Sequence, residues 1–235
     1  MNERNIRTWM LLGDERVHRL QSSHVAVFGL GGVGSWCAEA LARSGVGRLT
    51  LVDSDTVSQS NLNRQLCALT STLGKPKAEV VRSRLLDLNP DLCVNAIVGL
   101  YDAAHRDEFF ADYDYIVDAI DLVSCKLDLI ETAKNRSIPI VSALGTGNKC
   151  DASQLKISDI KKTSGCPLAR VVRKELRQRG IEHLDVVFST EEAMEAAQPE
   201  TPPPGRRSVP GSLVWVPASA GLLLCQHVVR SLTAL

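Results

Sequence analysis

No Cys-x-x-Cys pair occurs among the seven cysteines of this 235-residue chain, and neither sign of charge is in excess, with 27 Lys+Arg against 27 Asp+Glu. The cysteines, Cys37, Cys67, Cys93, Cys125, Cys150, Cys166 and Cys225, are odd in number and widely spaced. That pattern argues for reduced thiols in a cytosol and against both a disulfide framework and a structural zinc site. Balanced charge removes any global basic field, so a nucleic-acid partner would have to be recognised by local patches. Aromatic residues make up only 4% of the chain, so base stacking is not advertised. Long apolar runs are missing too. "MNERNIRTW" is charged from its third residue, which argues against a secretory signal. The most apolar stretch, "SLVWVPASAGLLLCQHVV", is interrupted by Pro217, Gln226 and His227. It reads as a buried strand, turn and helix, with no membrane span, and a cytoplasmic protein is expected.

What the chain does have is alternation. At 235 residues and 44% hydrophobic, it suits one large α/β domain over residues 1–235. A helix is expected from about Thr8 to Gln21, then the apolar strand "HVAVFGL" running straight into glycines. "GVGSWCAEALARSG" reads as a helix ended by Gly45, and "RLTLVDSD" as a second strand. Residues 75–88 carry helical periodicity that stops at Asn89-Pro90. "CVNAIVGL" and "YDYIVDAID" read as strands, "LVSCKLDLIETAKNRS" as a helix and "IPIVSAL" as another buried strand. Strands alternating with helices predict a doubly wound, mostly parallel, Rossmann-like sheet. Cys37, Cys93, Cys125 and Cys225 fall in these patterns and are expected in the core.

Beyond Gly145 the character changes. The chain becomes loop-rich, with one strand candidate, "SQLKIS", and a helix expected over Pro167–Gln178. Residues 190–211 hold five of the ten prolines and are expected to form a mobile surface loop. The last strand and helix should return to the core. Residues 4–145 therefore read as a nucleotide-binding core, and 146–235 as an acceptor side that packs back on it.

The glycines carry the first chemistry. Gly29-Leu-Gly31-Gly32-Val-Gly34 follows a strand and opens a helix. Such a turn lets backbone approach phosphate, while the helix end offers free N–H groups and the positive end of its dipole. Asp53 lies 19 residues past Gly34, at the end of the second strand, where a carboxylate can accept from ribose hydroxyls. Taken alone, this would suit a nicotinamide or flavin enzyme. "NLNRQ" at 61–65 argues otherwise, because a pyrophosphate that stays intact has little need of added cations. Splitting ATP builds negative charge on the α-phosphate and the leaving pyrophosphate. Arg64 and Lys77 could compensate that charge, and Asn61 could hold ribose or phosphate oxygens. Asp121, at the tip of the "YIVDAID" strand, could hold a Mg²⁺ bridging the leaving phosphates. Taken singly, Arg64 could instead cap a helix or pair with Asp55, and Lys77 could be a solvated helix residue. Asp118 more simply orients backbone or turn groups.

"GLGGVGSWCAEALARSGVGRLTLVDSDTVSQSNLNRQ", then "GKPKAE", then "DAID", resembles the ThiF/MoeB adenylyltransferase family, related to ubiquitin-activating enzymes, over residues 4–145. The resemblance implies that Asp53 is the ribose-binding aspartate, that Asn61, Arg64, Gln65 and Lys77 contact ATP, and that Asp121 is the metal-associated aspartate. "RNIR" resembles an Arg-x-x-Arg whose second arginine, Arg7, reaches the partner subunit's ATP in a homodimer. Members that activate ubiquitin-like carriers often hold zinc with two Cys-x-x-Cys pairs, which this chain lacks.

The second half, "SALGTGNKCDASQLKISDIKKTSGCPLARVVRKELRQRGI" with the tail "GSLVWVPASAGLLLCQHVVR", is similar to the tRNA threonylcarbamoyladenosine dehydratase branch. That likeness implies ATP-dependent cyclisation of a threonylcarbamoyl group on tRNA, through adenylation of its threonine carboxylate and intramolecular attack. It also implies a monovalent cation, Na⁺ or K⁺, held by loop carbonyls. Arg170, Arg173, Lys174 and Arg177 recur at i, i+3, i+4 and i+7 and share one helix face. With Lys161, Lys162 and Arg179 they form a strip suited to RNA phosphates or simply to solvent. Cys166 precedes that helix, near where related activating enzymes place a thioester cysteine, but a structural or sulfur-relay thiol is the plainer expectation. Two other readings stand beside this one. One is an adenylyltransferase for a ubiquitin-like sulfur-carrier protein, docking a sulfur-transfer partner; the other is a nucleotide-binding redox or sensor protein that never cleaves ATP.

Overall fold

The computed structural model describes residues 3–198 and 209–235. Its sheet has seven strands: β1 (His24–Phe28), β2 (Arg48–Asp53), β3 (Cys93–Val98), β4 (Tyr115–Asp118), β5 (Ile140–Ala143), β6 (Leu155–Asp159) and β7 (Asp185–Ser189). The spatial order is β3-β2-β1-β4-β5-β7-β6, with every pairing parallel except β6 against β7. The central strands are short apolar runs because helices cover both faces. On one face α1 (Ile6–Ser22), α2 (Gly34–Ser44), α3 (Lys77–Leu88) and α6 (Trp215–Thr233) contribute Leu20, Leu41, Leu85 and Leu224 to a single core. On the other, α4 (Val123–Asn135) and α5 (Pro167–Gln178) pack Leu129, Ile130, Val172 and Leu176 against Phe28, Ile116 and Phe188.

The doubly wound sheet is as the alternation predicts, and three local expectations change. The expected terminal strand within "SLVWV" is instead irregular chain leading into one long helix, α6. Pro217 lies in the first turn of α6, where its missing N–H has no intrahelical partner to lose. Cys93 is exposed, unlike the buried Cys37, Cys125 and Cys225, because it opens β3, an edge strand with one side unpaired. β7 was not anticipated: Val186-Val187-Phe188 is too short an apolar run to announce itself, yet it joins β5 to β6. Helix α1 also leaves helical geometry at Gly13, where φ is 76°. The expected loop at 190–211 falls partly outside the described residues.

The winding direction reverses between β1 and β4, so the loops after these two strands flank a crevice at the carboxyl edge of the sheet. Beneath it lies a buried ion pair. Asp118 ends β4 and accepts from Lys126 Nζ at 2.6 Å, and both side chains are 0% exposed. Lys126 Nζ also reaches Ser142 Oγ and the Ala143 carbonyl, each at 3.0 Å. The remaining Asp118 oxygen accepts from Ile120 N–H at 3.0 Å, the backbone-orienting task expected of it. Removing one partner from a buried pair leaves a charge with neither water nor counter-ion. Lys126→Met is therefore expected to cost about 3–5 kcal/mol of unfolding free energy in a urea titration. An unchanged urea midpoint would show that Asp118 does not depend on this ammonium.

Candidate active site

The crevice is built from backbone first. Gly29 follows β1 with φ at 87°, and a side chain there would put its Cβ 2.6 Å from the Ala119 carbonyl oxygen on the β4 side. The two loops meet because Gly29 has none. A Cβ on Gly34 would lie 1.8 Å from the Gly29 carbonyl oxygen, so the turn closes onto the first residue of α2 only with glycine there. Gly31 has open space above it, bounded by Gln65 Nε2 at 3.8 Å, while Gly32 faces Pro217 and the Arg64 stem. An open turn feeding free N–H groups at a helix start suits an anion.

Asp53 comes from the end of β2 into this turn. Its Oδ2 accepts from Leu30 N–H at 2.6 Å and its Oδ1 from Asp55 N–H at 2.8 Å. Burial pushes the Asp53 carboxyl above its usual range, while the Leu30 and Asp55 N–H groups and nearby Lys77 pull the other way. Lys77, the first residue of α3, is 4% exposed and donates to Asp55 Oδ2 at 2.8 Å. The pairing with Asp55 that the sequence left open for Arg64 thus belongs to Lys77. Arg64 Nη1 donates to the Ser60 carbonyl at 2.8 Å and to Asn63 Oδ1 at 3.0 Å. It has no carboxylate partner among the described residues, and burial lowers its pKa. Asn61 is buried, and its side-chain carbonyl accepts from Ser58 N–H at 3.1 Å, folding the turn that carries Arg64. Gln65 is buried over the glycine turn.

Asp121 is exposed three residues past the end of β4, at the carboxyl edge. Among the described residues no cluster of three or more His, Cys, Asp or Glu side chains could by itself hold a metal. A single carboxylate fits Mg²⁺, which keeps waters and takes its other ligands from phosphates. Glycine turn, Asp53, Asn61, Arg64, Gln65, Lys77 and Asp121 thus come from the ends of β1, β2 and β4 and the loops that follow. Arg7 is exposed near the start of α1, with Ile6, Met10 and Leu11 exposed beside it.

The acceptor side is joined to this crevice by the segment before α6. Asn63 Nδ2 donates to the Ser212 carbonyl at 2.9 Å, and Trp215 Nε1 to the Cys150 carbonyl at 2.7 Å. Cys166 is buried and caps α5, its Sγ accepting from Ala169 N–H at 3.5 Å. Cys150 is the exposed thiol here, and its hydrogen bond to Glu191 raises its pKa; neither thiol is presented as a ready nucleophile. Of the basic strip, Arg173 is committed to the fold, donating to Thr163 Oγ1 at 2.6 Å and to the Thr163 carbonyl at 2.9 Å. Arg179 pairs with Glu131 and Lys161 with Glu182. Arg170, Lys174 and Arg177 remain exposed on α5. Sequence reasoning missed Lys126, although a lysine on the face shared by Leu129, Ile130 and Ala133 was a visible signal of a buried, paired charge.

Comparison with known proteins places this geometry. The chain is 42% identical over 237 residues to the tRNA threonylcarbamoyladenosine dehydratase of Bacillus subtilis, covering 96% of this chain and 93% of that protein. The Escherichia coli tRNA N6-threonylcarbamoyladenosine dehydratase in complex with ATP superposes with a TM-score of 0.89 at 34% identity, covering 99% of this chain and 94% of that one. The molybdopterin-synthase adenylyltransferase of Escherichia coli is 38% identical over 123 residues, 52% of this chain and 49% of that protein. The ThiF family model matches residues 2–235, and the chain belongs to the ThiF family.

Proposed function

We propose that this protein is an ATP-dependent enzyme that cyclises threonylcarbamoyladenosine in tRNA, with net loss of water. The observation that carries the reading is the extent of the likeness to a named dehydratase, 96% of the chain, which includes the acceptor half. The likeness to the molybdopterin-synthase adenylyltransferase extends over only 52%. A sulfur-carrier substrate is the secondary reading, and it gains nothing from Cys166, whose thiol is buried as a helix cap.

In this reading the open glycine turn and the start of α2 receive phosphates, and Asp53 and Asn61 face the ribose. Arg64 and Lys77 oppose the charge that grows as the threonine carboxylate oxygen attacks the α-phosphorus and pyrophosphate leaves. Asp121 would hold Mg²⁺, which supplies further charge neutralisation at the leaving phosphates. The acyl-adenylate is then closed by an atom of the substrate itself, releasing AMP, so no enzyme thiol is required. Arg7 serves the neighbouring protomer's ATP in a homodimer; the exposed Ile6, Met10 and Leu11 on its helix support a covered face there. A monovalent cation, Na⁺ or K⁺, on acceptor-side carbonyls, docking of a sulfur-transfer protein and a cytoplasmic location complete the proposal. No helix among the described residues is long and apolar enough to cross a membrane. The deciding experiment is mass spectrometry of nucleosides from modified tRNA incubated with the protein and Mg-ATP. Unchanged threonylcarbamoyladenosine would sink the reading.

Arg64→Ala and Lys77→Ala are expected to bind ATP more weakly and to lose roughly 10²–10³-fold in kcat while remaining folded, since each removes a cation from developing phosphate charge. Steady-state kinetics with circular dichroism as a folding control checks this, and wild-type turnover in both variants would misplace the phosphates.

Cys166→Ser is expected to keep substantial cyclising activity, because serine serves well as a helix cap and the attacking group belongs to the substrate. A trapped thioester on the wild type, with a folded but inactive serine variant, would favour the carrier-activating reading.

If α5 tracks tRNA phosphates, affinity for tRNA should fall with salt at a log–log slope of roughly −0.7 to −0.9 per contact. Arg170→Ala/Lys174→Ala should flatten that slope by about one to two units and leave ATP affinity unchanged. Arg173 is left in place because it holds the turn at Thr163. Superimposable slopes for wild type and variant would make α5 a merely solvated face.

A further inference from the structure

Two elements of the site come from distant stretches of chain, the glycine turn at 29–34 and the arginine loop at 61–65, and neither has a strand of its own to hold it. What joins them is the first turn of α2. Ser35, fully buried, donates from Oγ to the Gly31 carbonyl at 2.7 Å and accepts from Leu66 N–H at 3.2 Å. One hydroxyl therefore bridges both segments. Its neighbour Trp36 donates from Nε1 to the Arg64 carbonyl at 3.1 Å, fixing the backbone of the residue whose guanidinium has no carboxylate partner among the described residues. The Arg64 stem passes 3.5 Å from where a side chain on Gly32 would begin, so a small shift of residue 64 changes its distance to the turn directly.

We propose that Ser35 and Trp36 are positioning residues for adenylation, locking the Arg64 loop to the glycine turn so that the guanidinium meets the phosphates at a fixed distance. The proposal rests on the adenylating reading above. A guanidinium held only by a carbonyl and an amide oxygen would otherwise swing toward the nearest carboxylate. Held by its backbone, it can oppose charge that appears only in the transition state, and displacement of a catalytic group by about 1 Å can cost on the order of 10²-fold in rate. The two contacts hold adjacent backbone, the Arg64 carbonyl and the Leu66 N–H, so loss of either should show in kcat more than in nucleotide affinity.

The test is a double-mutant cycle in the full-length protein, using Mg-ATP and threonylcarbamoyladenosine-bearing tRNA under single-turnover conditions. Trp36→Phe keeps an aromatic ring but removes the pyrrole part of the indole with its N–H, and Ser35→Ala removes only the hydroxyl. Each is expected to lower the rate roughly ten- to a hundredfold while the Kd for Mg-ATP moves by less than about twofold. In an Arg64→Ala background, Trp36→Phe should add less than about a twofold further loss, because the group it positions is gone. Equal losses in both backgrounds, or no loss in the wild-type background, would overturn the proposal. Should Arg64→Ala itself turn over at the wild-type rate, the failure lies in the placement of the phosphates, and the cycle separates that outcome from the failure of the clamp.

Discussion

Burial of the Asp118–Lys126 pair is the constraint around which the sheet's carboxyl edge is arranged. Two opposite charges, both 0% exposed and 2.6 Å apart, are tolerable in a low-dielectric interior only if their remaining hydrogen-bonding capacity is filled. Ser142 and Ala143 from β5 fill it on the ammonium side, and Ile120 N–H on the carboxylate side. The ends of β4 and β5 and the first turn of α4 are thereby fixed to one another. Because Ala119 lies between Asp118 and Ile120, its carbonyl is fixed as well, and Gly29 packs against it. The crevice at the carboxyl edge inherits its shape from a fully buried pair.

Charge within the crevice is distributed unevenly. Lys77 is satisfied by Asp55 in the resting protein, and Asp53 is occupied by two backbone N–H groups. Arg64 donates only to a carbonyl and an amide oxygen. Hydrogen bonds to neutral acceptors leave its positive charge uncompensated, and burial already disfavours that charge enough to lower the pKa. An incoming anion is therefore worth most at Arg64. For Lys77 an anion must first compete with Asp55, whose carboxylate is exposed while the ammonium it pairs with is buried.

How far this could be read from sequence follows from how local each signal was. The glycine turn, Asp53 and the helix starts were legible because backbone chemistry dictates them within a few residues. Cys93 was misjudged because a strand pattern does not say whether the strand lies at an edge. The "SLVWV" run looked like a strand because Pro217 normally breaks a helix; that it opens α6 depends on where the preceding chain arrives. β7 was invisible because three apolar residues mean little until β5 and β6 offer ladders on both sides. Arg173 looked like its neighbours on the helical wheel, yet its fork reaches the turn at Thr163, a contact set by the tertiary path of residues 160–163.

The same distinction explains why the acceptor half was the harder part. Its hydrogen bond to the crevice, Asn63 to Ser212, and the bond that anchors the same segment within the acceptor half, Trp215 to Cys150, each join residues far apart in sequence. No periodicity encodes such contacts. Physically they tie the segment entering α6 both to the arginine loop and to the loop after β5, so the region proposed to meet tRNA is mechanically continuous with the region proposed to activate ATP. A neutral chain need not carry a broad basic field for this arrangement. Exposed Arg170, Lys174 and Arg177 on one helix supply local attraction, while Glu131 and Glu182 neutralise the cations at its margins. Three exposed cations on one helix face thus leave phosphate contacts available where the proposed substrate would dock, without a net positive charge on the chain.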